Sequence, residues 1–246
     1  DATSGEIDLV VSASASDAIT WSGTGSVWDQ AGTTDWLLGG VTPWAFTNGD
    51  LVTFDESGLA SPNVSLASAL LPGSVTVNNS TATYIFADGT GTGGGKISGP
   101  ASLVKDGAGT LILQTANDYT GSTTIKNGTV QVGSGSIGDI GAGNVTNNGA
   151  LVFNQGDNNV HTVSGAVSGT GTLTQQGSST LVLAKGGSYS GATTISSGAL
   201  QFGNGGAVSL PTGNITNNGA LILNGADALT IPIARSPSPR TGTSGT

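Results

Sequence analysis

The chain has no cysteine and no methionine in its 246 residues. That excludes a disulfide scaffold and a thiolate metal site, and it leaves redox state nothing to act on. Charged residues make up only 9% and aromatic ones 5%. Disordered polar tracts lose their large aliphatics, whereas here Val, Ile and Leu fall in short alternating runs, so the chain reads as ordered. No run of eighteen apolar residues occurs, which excludes a membrane-spanning helix. Long stretches of helix formers are missing as well. Glycine, 42 in all, or paired asparagine interrupts nearly every ten residues, and a helical domain is excluded on propensity.

Positive charge is absent from the first 95 residues, where Asp1, Glu6, Asp8, Asp17, Asp29, Asp35, Asp50, Asp55, Glu56 and Asp88 stand without a Lys or Arg. With a formal net charge of −9, nucleic acid is excluded as a partner. The C-terminal tail reverses the sign: Arg235 and Arg240 follow the last acid, Asp227. The chain opens at Asp1 without an apolar signal region, and is expected to be a processed or excised exported chain.

What is present is repetition. GAGTLILQTANDYTGSTTIKNGTVQVG from Gly107 returns as GSSTLVLAKGGSYSGATTISSGALQFG from Gly177, and GNVTNNGALVFN from Gly143 returns as GNITNNGALILN from Gly213, seventy residues on in both cases. Val75-Thr76 aligns with Val145-Thr146, which places the start of a degraded earlier copy near Ser74. The expected organisation is an acidic, Trp-rich N-terminal segment over 1–73, repeats over 74–233 and a Pro/Ser/Gly-rich tail over 234–246. Alternating apolar residues, β-branched Thr-Thr-Ile triplets and glycines at the breaks are strand and turn signals. Propeller blades recur at roughly 40–50 residues, so a period of seventy favours a β-solenoid. At about 23 residues per coil the unit is three coils, stacking the same residues at about 4.8 Å rise. Leu111, Leu113, Ile125, Val130 and Val132 then point inward, Leu181 lies above Leu111 along a common axis, and Thr, Ser and Asn face out. Asn147-Asn148-Gly149 and Asn217-Asn218-Gly219 read as tight turns that use positive φ.

The pattern G-x-G-T-L-x-L, then Y-x-G-x-T-T-I-x-x-G-x-L-Q-x-G, resembles the autotransporter-associated β-strand repeat of bacterial surface proteins. Gly107, Thr110, Leu111, Leu113, Tyr119, Gly121, Thr123, Thr124, Ile125, Gly128, Gln131 and Gly133 carry it, and Gly177, Thr180, Leu181, Leu183, Tyr189, Gly191, Thr193, Thr194, Ile195, Gly198, Leu200, Gln201 and Gly203 carry it again. The segment around Trp21, Trp28, Trp36, Asn48, Gly49, Asp50, Val52 and Phe54 resembles the leader that precedes such repeats. The resemblance implies an all-β, right-handed parallel β-helix with an N-terminal Trp-rich cap, exported, with adhesive or scaffolding roles. It also implies a cleaved passenger piece or a separately secreted relative.

No catalytic, cofactor or metal residues are assigned. Asp50, Asp55 and Glu56, with Asp29 and Asp35, are the best carboxylate cluster for polysaccharide hydrolysis. Val52 and Phe54 separate them and no partner base is evident, so they read as loop-solvating acids. His161, the one histidine, lies in VHTVSG without a catalytic companion in the sequence and reads as a groove or surface histidine. Two G-x-G-x-x-G matches, from Gly89 and from Gly133, open no helix and are no dinucleotide site. The acidic turns lack both calcium-loop patterns. Trp21, Trp28, Trp36 and Trp44 read as the core of a cap, with a sugar-stacking platform as the functional alternative.

The expected function is a secreted bacterial structural protein, a β-solenoid subunit of an extracellular fibre or surface scaffold that assembles head to tail, with Glu6 and Asp8 meeting Arg235 and Arg240 of the next copy. The alternative is a monomeric adhesin stalk that binds cell-surface or matrix glycans through the Trp-rich cap. A polysaccharide-active enzyme comes third, and the chain is expected not to be an enzyme. The partner is then itself or a glycan, with no cofactor, no nucleic acid and no membrane insertion, and the location is the cell exterior.

Overall fold

In a computed structural model, residues 16–226 are described. They form a parallel β-solenoid whose only helical element, among the described residues, is a single 3-10 turn at Glu56–Gly58. The reason is local. Ser102–Asp106 and Thr110–Gln114 bury every second residue, a period no helix can present to one core. Leu111, Leu113, Ile125, Val130 and Val132 are fully buried, as expected, and each such side chain contributes about 1.5–3 kcal/mol relative to exposure.

Each coil visits three faces. On the first, Ala18–Trp21, Leu51–Asp55, Ser74–Asn78, Ser102–Asp106, Thr123–Ile125, Val145–Asn147, Val167–Gly169 and Gly187–Tyr189 stack in parallel. On the second, an unbroken parallel ladder runs from Val27–Trp28 to Ile215–Asn217. The third is interrupted. It starts as the pair Ala69–Leu70 and Lys96–Ile97, passes through loops that hold hydrogen bonds and an isolated Ala116–Asp139 bridge but no strand, and resumes as Val160–Val163, Thr180–Leu183, Ala199–Phe202 and Ala220–Leu223.

The coil is shorter than expected, and this changes what the seventy-residue repeat means. Along the first face Leu103 pairs with Thr123, Thr123 with Val145, Val145 with Val167 and Val167 with Gly187, so the coils that carry the repeats take 20 to 22 residues. Seventy residues therefore make three coils plus one further face. Leu111 sits on the second face, paired with Val130, while Leu181 sits on the third, paired with Leu200. The expectation that Leu181 stacks above Leu111 is corrected: the strand pairings within the first copy recur within the second, turned about the rod axis by one face.

Glycine is required where coils touch backbone to backbone. A Cβ on Gly121 would strike the carbonyl oxygen of Ala101, one on Gly143 that of Gly121, and one on Gly165 that of Gly143. The Asn-Asn-Gly corners are real, but positive φ is not their device. Asn147 is buried; its Oδ1 accepts from the Gly149 amide at 3.1 Å, and its Nδ2 donates to the Thr172 carbonyl of the next coil at 2.8 Å. Asn217 accepts from Gly219 in the same way, at 3.0 Å. Not every threonine faces out, either. Thr123 and Thr193 are buried, each 2.7 Å from the hydroxyl of Tyr119 or Tyr189. Both tyrosines are kept neutral by burial, which pushes the Tyr189 hydroxyl up to about 12 and Tyr119 higher still.

At the N-terminal end, Trp36–Leu38 and Thr42–Trp44 turn antiparallel and close the edge of the first face. Parallel pairing itself reaches upstream of Ser74, since Ala18–Trp21 lies on Leu51–Asp55.

Candidate functional site

Trp21, Trp28 and Trp36 are buried in an aromatic cluster with Phe46, Phe54 and Phe86, with ring centroids 4.7–6.1 Å apart. Edge-to-face packing of this kind adds about 0.5–1.5 kcal/mol per pair beyond area burial. The Trp21 indole donates to the Ser61 carbonyl at 3.1 Å. None of these three rings offers a face to a sugar. Trp44 is half-buried and lines a shallow groove of about 450 Å³ with Asp17, Pro43 and Thr47. Glu6, Asp8, Arg235 and Arg240 lie outside the described residues.

The N-terminal acids are occupied by turns. Asp50 is fully buried and accepts from the amides of Asp17 (3.1 Å) and Thr47 (2.8 Å), tying two segments of the cap together. Asp55 caps the 3-10 turn through the Ser57 amide at 2.9 Å. Glu56 receives the Ser80 amide and the Thr81 hydroxyl of the coil above. Asp29 holds Thr33 by amide and hydroxyl, both at 3.0 Å. Asp35 is within 3.5 Å of the Thr24 hydroxyl. As a catalytic set they do not converge on a common point.

A polar cluster does converge, around the histidine that the sequence left without companions. His161 lies on Val160–Val163, where the third face resumes, with its side chain only 11% exposed. Its Nε2 is 2.9 Å from Asp157 Oδ1 and its Nδ1 3.4 Å from Asp139 Oδ1. Ser179, from the following coil, donates to Asp157 at 2.7 Å. That donation, then the His161 contact, holds the Asp157 carboxyl well below its usual range. Burial, the strongest influence on Asp139, pushes its carboxyl the other way against the pull of His161. Ser179 addresses a carboxylate and not the imidazole, so the group lacks the base-to-nucleophile contact of an acyl-transfer triad. Among the described residues no three His, Cys, Asp or Glu side chains are placed to hold a metal ion.

Beside this cluster lies a cavity of about 170 Å³. Asp118, Asp139, Gln155, His161 and Ser164 supply its polar wall, and Ile140, Phe153, Val163 and Leu181 its apolar one. Gln155 is fully buried: its Nε2 donates to the Gly138 carbonyl at 2.6 Å, while its Oε1 has no partner.

A second buried polar device serves the corner between the first and second faces. Lys105 is completely enclosed and donates to the carbonyls of Asp106 and Gly107, the latter at 2.8 Å. Desolvation lowers its amine to about 8, with Asp106 and Glu56 pulling back. In the second copy Gln175 does the same work, reaching the carbonyls of Gly177 (3.0 Å) and Ser179 (2.9 Å).

The passenger-associated-transport-repeat family matches residues 103–132 and 173–202, the strands that open each copy. The adhesin BmaC autotransporter of Brucella suis is 38% identical over 154 residues, an alignment that spans 54% of this chain and 4% of that protein. The chain is thus similar to a short stretch of a far longer relative. No solved structure matches. The matched segments are similar to repeats of autotransporter passengers, which indicates an extracellular, cell-surface location.

Proposed function

We propose, from its two passenger-type repeats and its likeness to a stretch of an autotransporter adhesin, that the chain is a non-catalytic stalk segment, a rod that holds adhesive parts of a longer passenger away from the membrane. The observation that carries this reading is the parallel ladder of the first two faces, which continues through every coil without an inserted domain. The seven spacings of about 4.8 Å between the eight first-face rungs give roughly 34 Å of rod. The acids that would serve hydrolysis are instead committed to turns. Electron microscopy and sedimentation of the purified chain test the stalk: isolated rods at every salt concentration are expected.

Head-to-tail fibre assembly is the second reading, favoured by the opposite charges of the two termini. It predicts filaments that shorten with added salt and vanish when residues 234–246 are deleted. The antiparallel strands Trp36–Leu38 and Thr42–Trp44 weigh against it, since they cover the edge that a preceding subunit would extend. Adhesion through the tryptophan segment narrows to Trp44, whose groove is open. Loss of glycan-array binding on Trp44→Ala, with folding intact, would favour that reading.

A further inference from the structure

We propose that the cavity beside His161 is a binding site for a single hydroxyl-rich sugar ring. The first reason is a departure from the repeat. Structural residues recur at seventy, yet Asn117, Asp118, Asp139 and Gln155 have Gly187, Ser188, Ser209 and Gly225 as counterparts. In the second copy Gly187 and Ser188 pair as a regular strand on Val167 and Ser168, whereas in the first copy the Asn117 side chain takes the Ile97 amide at 2.9 Å and donates to the Asp139 carbonyl at 2.9 Å, so polar side chains replace backbone pairing at this place. Sites where a chain breaks its own structural rule are where function is to be sought.

The second reason is unmet hydrogen bonding. Gln155 Oε1 is buried without a donor while its Nε2 is committed to Gly138, which fixes the oxygen as an acceptor. Asp139 has one oxygen on His161 and a side chain 43% exposed at the rim. The vacant valences are mainly acceptors, and they call for a ligand that brings donors.

The third reason is shape. Phe153, Val163 and Leu181 supply apolar lining beside the polar groups. A pyranose offers hydroxyls at its edge and C–H groups on its face, matching both kinds of lining, whereas a compact ammonium ion would leave the apolar lining unused. About 170 Å³ is below the roughly 300–1,000 Å³ of drug-sized sites and suits one ring. The cavity lies where the third face has no strand, between the loop through Asp139 and Val160–Val163.

The site lies on the side of the rod, so it deepens the surface-stalk reading without depending on it: rods that bind no sugar would still be stalks. The test is NMR on the whole chain with D-glucose, D-galactose and N-acetyl-D-glucosamine at millimolar concentration, and ethanolamine as an ammonium-bearing probe. At least one sugar is expected to shift the amides of Thr162 and Ser164, and both Gln155→Leu and Asp139→Asn are expected to weaken its Kd tenfold or more. If Gln155→Leu fails to fold, Ser164→Ala replaces it. The proposal is overturned if no sugar moves these amides, if ethanolamine alone does, if the shifts survive both variants, or if Trp44→Ala abolishes them.

Discussion

The two copies of the repeat, 103–153 and 173–223, are built from the same pairings on different walls. Leu103 stacks on Thr123 on the first face, and Leu173 stacks on Thr193 on the second. Likewise, Leu111 on Val130 becomes Leu181 on Leu200. A wall of the rod is thus interchangeable: what a strand needs is a partner above and below and an apolar side facing in. Which of the three walls it occupies is set by how many residues precede it. Where the copies differ, the difference is polar. Lys105 stands where the second copy has Gln175, and the His161 cavity where the second copy has Gly and Ser.

The largest expected effect breaks what the copies share. Gly143→Ala drives a Cβ into the Gly121 carbonyl, and Gly213→Ala does the same to Gly191. Each should cost about 1–3 kcal/mol in urea unfolding, with no repacking available because the obstacle is backbone. Next, Tyr119→Phe and Tyr189→Phe each strand a buried threonine hydroxyl. Losses of about 1–2 kcal/mol, equal between copies within a few tenths, are expected in thermal or urea unfolding. Unequal losses would mean that the walls are not interchangeable.

The smallest effect sharpens the contrast. Lys105→Gln installs the second copy's residue in the first. The folded amine titrates near 8, below the 10.5 of the free side chain, so the folded state releases its proton first. Native stability should therefore rise as pH climbs from about 8 to 10.5, and the charged amine is a cost at pH 7. The Gln variant should be more stable than the parent at pH 7, by about 1 kcal/mol, and should lack the alkaline rise in urea titrations run across that range.

The β-solenoid, the inward ladder of Leu111, Leu113, Ile125, Val130 and Val132 and the burial of Trp21, Trp28 and Trp36 were legible because alternation and clustering are local signals. The face on which each copy lies was not. A period counts residues, and only the length of a coil, set by corner geometry, converts residues into turns. The His161 cluster was hidden for the same reason: Asp139 is one coil below, and Ser179 belongs to the coil above. A coil of 22 residues, once known, points from His161 straight to Asp139. Lys105 was visible in principle, since the alternation in Ser102–Asp106 that buries Leu103 also buries the residue two places on. Its charge masked the signal, because sequence reading assigns lysine to water unless a partner is in view.

The central claim, that seventy residues carry the chain three coils and one face around the rod, is tested most directly by paired spin labels. Gln131 and Thr194 share the second face three rungs apart through Val152 and Thr174, a span of roughly 14 Å. Gln131 and Gln201 are the copy-related pair: Gln201 lies in the same coil as Thr194 but on the neighbouring face, so it is displaced from Gln131 both along the rod and around it. Stronger dipolar broadening for Gln131 with Thr194 than for Gln131 with Gln201 is the predicted result. The reverse order, with the copy-related pair closer, would contradict the account.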